Sequence, residues 1–222
     1  MKISVVIPAY NEEKYIRNNL KSLQQQEVNP DEIILVDNLS KDKTISIAKE
    51  FNVKIIEKGT AGIGNARNIG FNAAQYEIIA RCDADTIVPP DWLKKIKQNF
   101  AKNIDALVGP VNYYDVFPQN TINSKIFIHF IKICLGHYPM LGLNMILTKK
   151  MWEKVKDKVC LDDKIVHEDI DLAIHVNKQG GIIAYDPTLI VQSSGRRIKN
   201  NFFSFFIEYP TRLIKTFKAP HL

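Results

Sequence analysis

Two aspartates one residue apart, in Asp83-Ala84-Asp85, follow an apolar run rich in isoleucine. Carboxylates at i and i+2 leaving a strand can share one hard divalent cation and the phosphate oxygens it carries. The plainer alternative is a loop whose aspartates cap a helix starting near Pro90. A second acidic pair, Glu168-Asp169 after His167, stands just ahead of a helical pattern. Acids there suit the positive end of a helix dipole, and a carboxylate so placed can equally take the proton of an incoming hydroxyl. Arg67 sits in GIGNARNIG, where glycines permit close backbone approach and a helix start offers free N–H groups. Its guanidinium is suited to gripping a diphosphate, or else lies on a solvated helix face. Asp37 ends another apolar run, where its carboxylate can accept from a base N–H, while Ser40 or Asp42 caps the helix that follows.

These residues need a scaffold that gathers them. Apolar runs at Ile3 to Ile7, Glu32 to Asp37, Val53 to Glu57 and Glu77 to Cys82 alternate with segments of helical period. The first of those helical segments carries Ile16, Leu20 and Leu23 behind an Asn11 cap. Such alternation specifies a mostly parallel α/β sheet covered by helices. Ligands then bind at the carboxyl ends of the strands, where Pro8-Ala9-Tyr10-Asn11-Glu12, Asp37-Asn38, Gly62 to Asn68 and Asp83-Ala84-Asp85 all fall. Past Asp105 the expected order is a strand over Ala106–Val111, a helix over Asn123–Leu135, a strand over Asn144–Thr148, a helix over Lys150–Val155, a helix over Asp169–Lys178 and a strand over Ile182–Asp186. One domain over residues 1–195 is expected, with a nucleotide-binding half at 1–104, an acceptor half at 105–195 and a helical tail at 196–222.

Bulk properties narrow the classes. Hydrophobic residues make up 45% and charged residues 24%, which excludes a fibrous or disordered chain. A net charge of +6 suits nucleic acid, anionic lipid or phosphorylated substrates. Nucleic acid would explain that charge but not the clustered carboxylates, so no nucleic-acid partner is expected. Cys82, Cys134 and Cys160 lie far apart and fit a reducing cytoplasm. The opening Met-Lys-Ile-Ser-Val-Val-Ile-Pro is too short an apolar stretch for a signal peptide, so a cytoplasmic protein is expected. The region from Lys125 to Leu147 is broken by His129, Lys132 and His137 and does not make a membrane span. GxGxxG after the first strand and a Walker loop are both absent.

Taken in order, VVIPAYNEEKYI, ILVDNLSKDKT, GIGNARNIG, DADTIVPPDWL and HEDIDL resemble the family 2 glycosyltransferases of the GT-A fold, over roughly residues 3 to 192. The resemblance implies a Rossmann-like sheet and an inverting, hexosyltransferase-type enzyme using a UDP-, GDP- or dTDP-linked sugar with Mn2+ or Mg2+. It places Pro8, Ala9, Tyr10, Glu12 and Asp37 at the nucleoside and Arg67 at the diphosphate. Asp83 and Ala84 would border the ribose, Asp85 with Asp83 the metal. Asp169 would be the base, supported by Glu168, and Gly142, Leu143 and Asn144 would shape the sugar and acceptor pocket. Relatives read DDGS where this chain has Asp37-Asn38-Leu39-Ser40, so one carboxylate and one glycine are missing. The QRRW-type motif of processive relatives is also missing, which points to single transfer, and Arg196 and Arg197 are candidates to cover the diphosphate. A sugar-phosphate nucleotidyltransferase and a non-catalytic nucleotide-sugar-binding module are the rival readings.

In the tail, Phe202, Phe206, Tyr209, Leu213 and Phe217 recur at helical spacing beside Lys199, Arg212, Lys215 and Lys218, with Pro210 expected to kink or break the helix. A glycan or a lipid-linked acceptor is expected; this basic, aromatic face either rests on the inner face of an anionic membrane, which would suit a lipid-linked one, or packs on the domain or a second copy in a homodimer.

Overall fold

The structure is a computed structural model that describes residues 1–57, 62–117, 119, 121–162, 165–196 and 209–217. Strands β1 (Ile3–Ala9), β2 (Glu32–Asp37), β3 (Lys54–Glu57) and β4 (Ile78–Arg81) alternate with helices α1 (Ile16–Gln24), α2 (Thr44–Ala48), α3 (Ile63–Ala73) and α4 (Trp92–Phe100). Then come β5 (Ala106–Val108), β6 (Val111–Tyr113), α5 (Ile122–Leu135), a 3-10 turn at Gly142–Asn144 and β7 (Met145–Thr148). Helices α6 (Lys149–Val155) and α7 (Glu168–Lys178), strands β8 (Ile183–Tyr185) and β9 (Val191–Ser193), and α8 (Tyr209–Phe217) complete the described elements.

Seven strands form one sheet in the order β3-β2-β1-β4-β7-β5-β8, with β7 antiparallel to both of its neighbours and the other pairs parallel. Because side chains alternate across a strand, β1 sends Ile3, Val5, Ile7 and Ala9 to one face and Val6 to the other. On the first face they meet Ile16, Leu20 and Leu23 of α1 and Trp92, Leu93 and Ile96 of α4. On the second, Val6 joins Phe71, Trp152, Leu172 and Val176 from α3, α6 and α7. Helices thus cover both faces, as a buried parallel sheet requires. Gly70 lets α3 lie directly on β1, since a Cβ there would stand 2.3 Å from the Val6 side chain.

Two sequence expectations change. The strand expected over Ala106–Val111 is two: β5 joins the main sheet, while β6 pairs with β9 in a separate two-stranded sheet. The break falls at Gly109-Pro110, where a Cβ on Gly109 would sit 2.0 Å from the Leu189 carbonyl oxygen and proline cannot donate to a ladder. Asn11 does not cap α1. Its φ is +53°, its Oδ1 accepts from the Lys41 amide at 2.8 Å, and α1 begins at Ile16. Pro210 is the second residue of the described α8, and the expected break would fall against residues 197–208, which lie outside the described residues. α8 rests on the domain: Thr216 Oγ1 accepts from the His167 amide at 2.9 Å, and Arg212 donates to the Val166 carbonyl at 3.1 Å. Arg197, Lys199, Phe202, Phe206 and Lys218 lie outside the described residues.

Candidate active site

The parallel register sets the first corner of the site. Ala9 pairs with Asp37, so the ends of β1 and β2 lie side by side, and the Asn38 amide donates to the Ala9 carbonyl at 2.8 Å. Pro8 and Ala9 are buried and Tyr10 is exposed. Asp37 is buried, with Oδ2 accepting from the Ser40 amide at 3.1 Å and Oδ1 without a partner among the described residues. A buried, unanswered acceptor is costly and suits a ligand donor such as a base N–H. The Asp42 carboxylate accepts from the Thr44 amide at 2.9 Å at the start of α2, which is the helix-start role.

Leu39 occupies the place of the missing glycine with φ +68° and 48% of its surface exposed. A side chain in that left-handed region costs about 1–2 kcal/mol. Glycine would relieve this but lose about 0.5–1 kcal/mol of chain entropy. Leu39→Gly is therefore expected to raise stability by about 0.5 kcal/mol, read as a higher urea midpoint with an unchanged slope. A lower midpoint would show that the Leu39 side chain contributes packing that outweighs the backbone cost.

At the end of β4, Asp83 and Asp85 leave the sheet. The loop is pinned by Asn19, whose Nδ2 donates to the carbonyls of Asp83 at 3.2 Å and Thr86 at 2.7 Å. Asp85 is 9% exposed. Its Oδ1 accepts from the Ser193 hydroxyl at 3.0 Å, and Oδ2 lies 3.4 Å from the Arg196 guanidinium. Burial, and then the charge of Asp83, push its carboxyl up to about 6. Arg196 also pairs with Glu12 Oε1 and stacks 4.7 Å over the Tyr15 ring, while Glu12 Oε2 is buried without a partner among the described residues.

The second acidic pair opens α7. Glu168 is buried between two arginines that are themselves fully buried, Arg81 at the end of β4 and Arg67 in α3. Arg81 Nη1 donates to Glu168 Oε1 at 2.5 Å and Nη2 to Asp83 Oδ1 at 3.0 Å. Arg67 Nη1 pairs with Glu168 Oε2 and donates to the Glu168 carbonyl at 2.5 Å. Burial alone would raise the Glu168 carboxyl, but Arg81 and then Arg67 hold it below the ordinary range. Asp169, half-buried beside it, moves the other way, raised by burial and then by the charge of Glu168. Its Oδ2 accepts from the Gly142 amide at 3.2 Å. A Cβ on Gly142 would come within 2.7 Å of Arg81 Nη2, so only glycine lets the 3-10 turn close on this cluster.

Thus Asp83, Glu168, Asp169 and Gly142 converge on one guanidinium, with Asp85, Glu12 and Arg196 alongside. Two expected residues lie differently. Arg67 faces inward to Glu168 rather than outward to an anion. Asn144 is buried, its Oδ1 accepting from Trp92 Nε1 at 3.0 Å and its Nδ2 donating to the Leu189 carbonyl at 2.7 Å, so it fastens the turn instead of lining a pocket. Leu143 is half-buried against the core. Sequence reasoning missed Arg81, Ser193 and Tyr15. For Arg81 a signal existed, a charge at the end of an otherwise apolar strand.

The donors offered to a cation are hard carboxylate oxygens, and Asp85 carries a charge that burial and its neighbours disfavour, so Mn2+ or Mg2+ fits. Among the described residues no group of three or more His, Cys, Asp or Glu could hold an ion. An ion here would therefore take Asp83 and Asp85 and fill its remaining positions with phosphate and water oxygens.

Comparison with known proteins identifies the family and the fold. Residues 4–158 match the family model described as Glycosyl transferase family 2. An uncharacterized glycosyltransferase of Haemophilus influenzae is 34% identical over 123 residues, covering 53% of this chain and 38% of the relative, so the chain spans well under half of that protein. The mannosyltransferase PcManGT from Pyrobaculum calidifontis, solved with GDP-Man and Mn2+, superposes with a TM-score of 0.78 at 19% identity over 98% of this chain and 63% of that one. S. aureus TarS 1–349 with UDP-GlcNAc gives 0.70 at 23% identity over 88% and 59%. At these identities the structures share the fold.

Proposed function

Because the chain belongs to glycosyl transferase family 2, we propose that it moves a single sugar from a nucleoside diphosphate to an acceptor, with inversion at the anomeric carbon. The observation that carries this reading is Arg81, whose guanidinium holds Asp83 of the metal triplet and Glu168 of the base pair at once. Donor chemistry and proton removal are thereby brought to one place.

Asp37, with one carboxylate oxygen unanswered, accepts from the nucleobase, and the exposed Tyr10 flanks it. Asp83 and Asp85 would hold Mn2+ or Mg2+, which when bound neutralises charge on the departing diphosphate. Arg196, at the rim beside Asp85, adds its fork of donors to the same anion. Asp169, kept basic by burial and by Glu168, takes the proton of the acceptor hydroxyl as its oxygen bonds to the anomeric carbon and the bond to the diphosphate breaks. A single in-line displacement inverts that carbon. Arg67 and Arg81 act as positioning residues, fixing Glu168 and through it the start of α7. PcManGT and TarS were solved with GDP-Man and UDP-GlcNAc, which supports guanosine or uridine donors; the acceptor is a glycan or a lipid-linked group.

A panel of UDP-, GDP- and dTDP-sugars, incubated with Mn2+ and scored for nucleoside diphosphate release, tests this. One donor class should be hydrolysed, and Asp85→Ala should lower that release by about 10²-fold or more. Tight donor binding with no turnover for any donor or acceptor would make the protein a binding module instead.

A further inference from the structure

Helix α5 presents Ile122, Ile126, Phe130 and Ile133 to solvent at 58, 62, 55 and 82% exposure. Steps of four, four and three residues place them on one stripe. Ile128 and Ile131 on the opposite side are buried against the domain, so the helix already has a packed face and this is a second one. Phe117, just ahead of the helix, is 94% exposed. Scattered apolar residues are ordinary on a surface, but an aligned row with a flanking phenylalanine marks an interaction face.

Charge identifies the partner. Lys125, His129 and Lys132 border the stripe, and no Asp or Glu occurs anywhere from residue 116 to 152. A second copy docking through the same face would set these lysines against each other with no carboxylate on the stretch to answer them. An anionic lipid surface answers both features, taking the apolar side chains below the headgroups and the ammonium groups among them. At 14 residues α5 is too short to cross a bilayer, and no described helix is long and apolar enough to do so.

We propose that α5 is an interfacial helix that docks the protein on an anionic bilayer. The helix is tied to the site by a short path. Ser124 Oγ donates to the Val111 carbonyl at 2.7 Å, β6 pairs with β9, and Ser193 of β9 donates to Asp85. An acceptor carried on a lipid would then meet the protein on the element joined to its metal triplet. The docking itself does not depend on the transfer chemistry.

Flotation of the full chain with vesicles of phosphatidylcholine, alone or mixed with phosphatidylglycerol, tests the proposal. Binding to the mixed vesicles only is expected. Ile126→Glu with Ile133→Glu should weaken it roughly tenfold or more, and Lys125→Gln and Lys132→Gln about fivefold each, with circular dichroism and donor hydrolysis unchanged. Equal binding to neutral vesicles, or binding untouched by the glutamate pair, would overturn it. So would an absence of vesicle binding together with a dimer, seen by sedimentation, that the glutamate pair dissolves.

Discussion

Asp169→Asn is expected to lower sugar transfer by about 10²–10⁴-fold, the usual worth of a positioned general base, while leaving nucleotide affinity within a factor of about two. The amide keeps the shape of the carboxyl but cannot take a proton. The Gly142 amide that donates to Asp169 Oδ2 still finds an acceptor in the asparagine carbonyl, so the turn should stay closed. Binding survives because Asp37, Asp83 and Asp85 belong to other strand ends. Single-turnover kinetics with equilibrium binding of the nucleotide separates the two effects. The wild-type protein adds a pH signature. Burial and Glu168 raise the Asp169 carboxyl above its ordinary value, so transfer should fall on acidification at a pH higher than a solvated aspartate would give. Full transfer activity in the variant would remove Asp169 from the base role and leave the α7 pair as a helix-start feature.

The alternation of four strands and four helices was legible because the central strands β1 and β4 are buried on both faces and each helix has one buried face, so periodicity carried the assignment. What failed were places where local pattern and long-range packing disagree. Ala106–Val111 looks like one apolar run, yet Gly109-Pro110 turns the chain because the backbone must pass against Leu189. Asn11 looks like a cap, yet its side chain bridges to the Lys41 loop. In the candidate site, Asp83, Asp85, Glu168 and Asp169 could be picked out because paired acids beside strand ends and helix starts can serve chemistry as well as capping. Arg67 could be found but not oriented, since the carboxylate it pairs with lies 101 residues downstream. Arg81 was passed over because its strand reads as core, and nothing in local sequence says that a charge there joins two acidic motifs.

That joining role makes Arg81 the residue whose loss should be felt most widely. Replacing it with methionine keeps the volume and removes the cation between Glu168 and Asp83. Glu168 would then rest on Arg67 alone, deep in the molecule, and a buried ion pair stripped of one partner typically costs about 3–5 kcal/mol. The urea midpoint of Arg81→Met should fall accordingly. Arg81→Lys separates charge from geometry. An ammonium restores much of the attraction to Glu168, so part of the stability should return, but a point charge cannot span Glu168 and Asp83 as the planar fork does. The lysine variant should therefore fold while binding Mn2+ and nucleotide more weakly, because Asp83 is no longer held. Arg81 also lowers the Asp169 carboxyl, so the acid limb of transfer should move to higher pH in Arg81→Met. A stability loss below about 1 kcal/mol, the range of an exposed pair, would mean that water reaches Glu168 and that the two acidic motifs are held together by something other than this guanidinium.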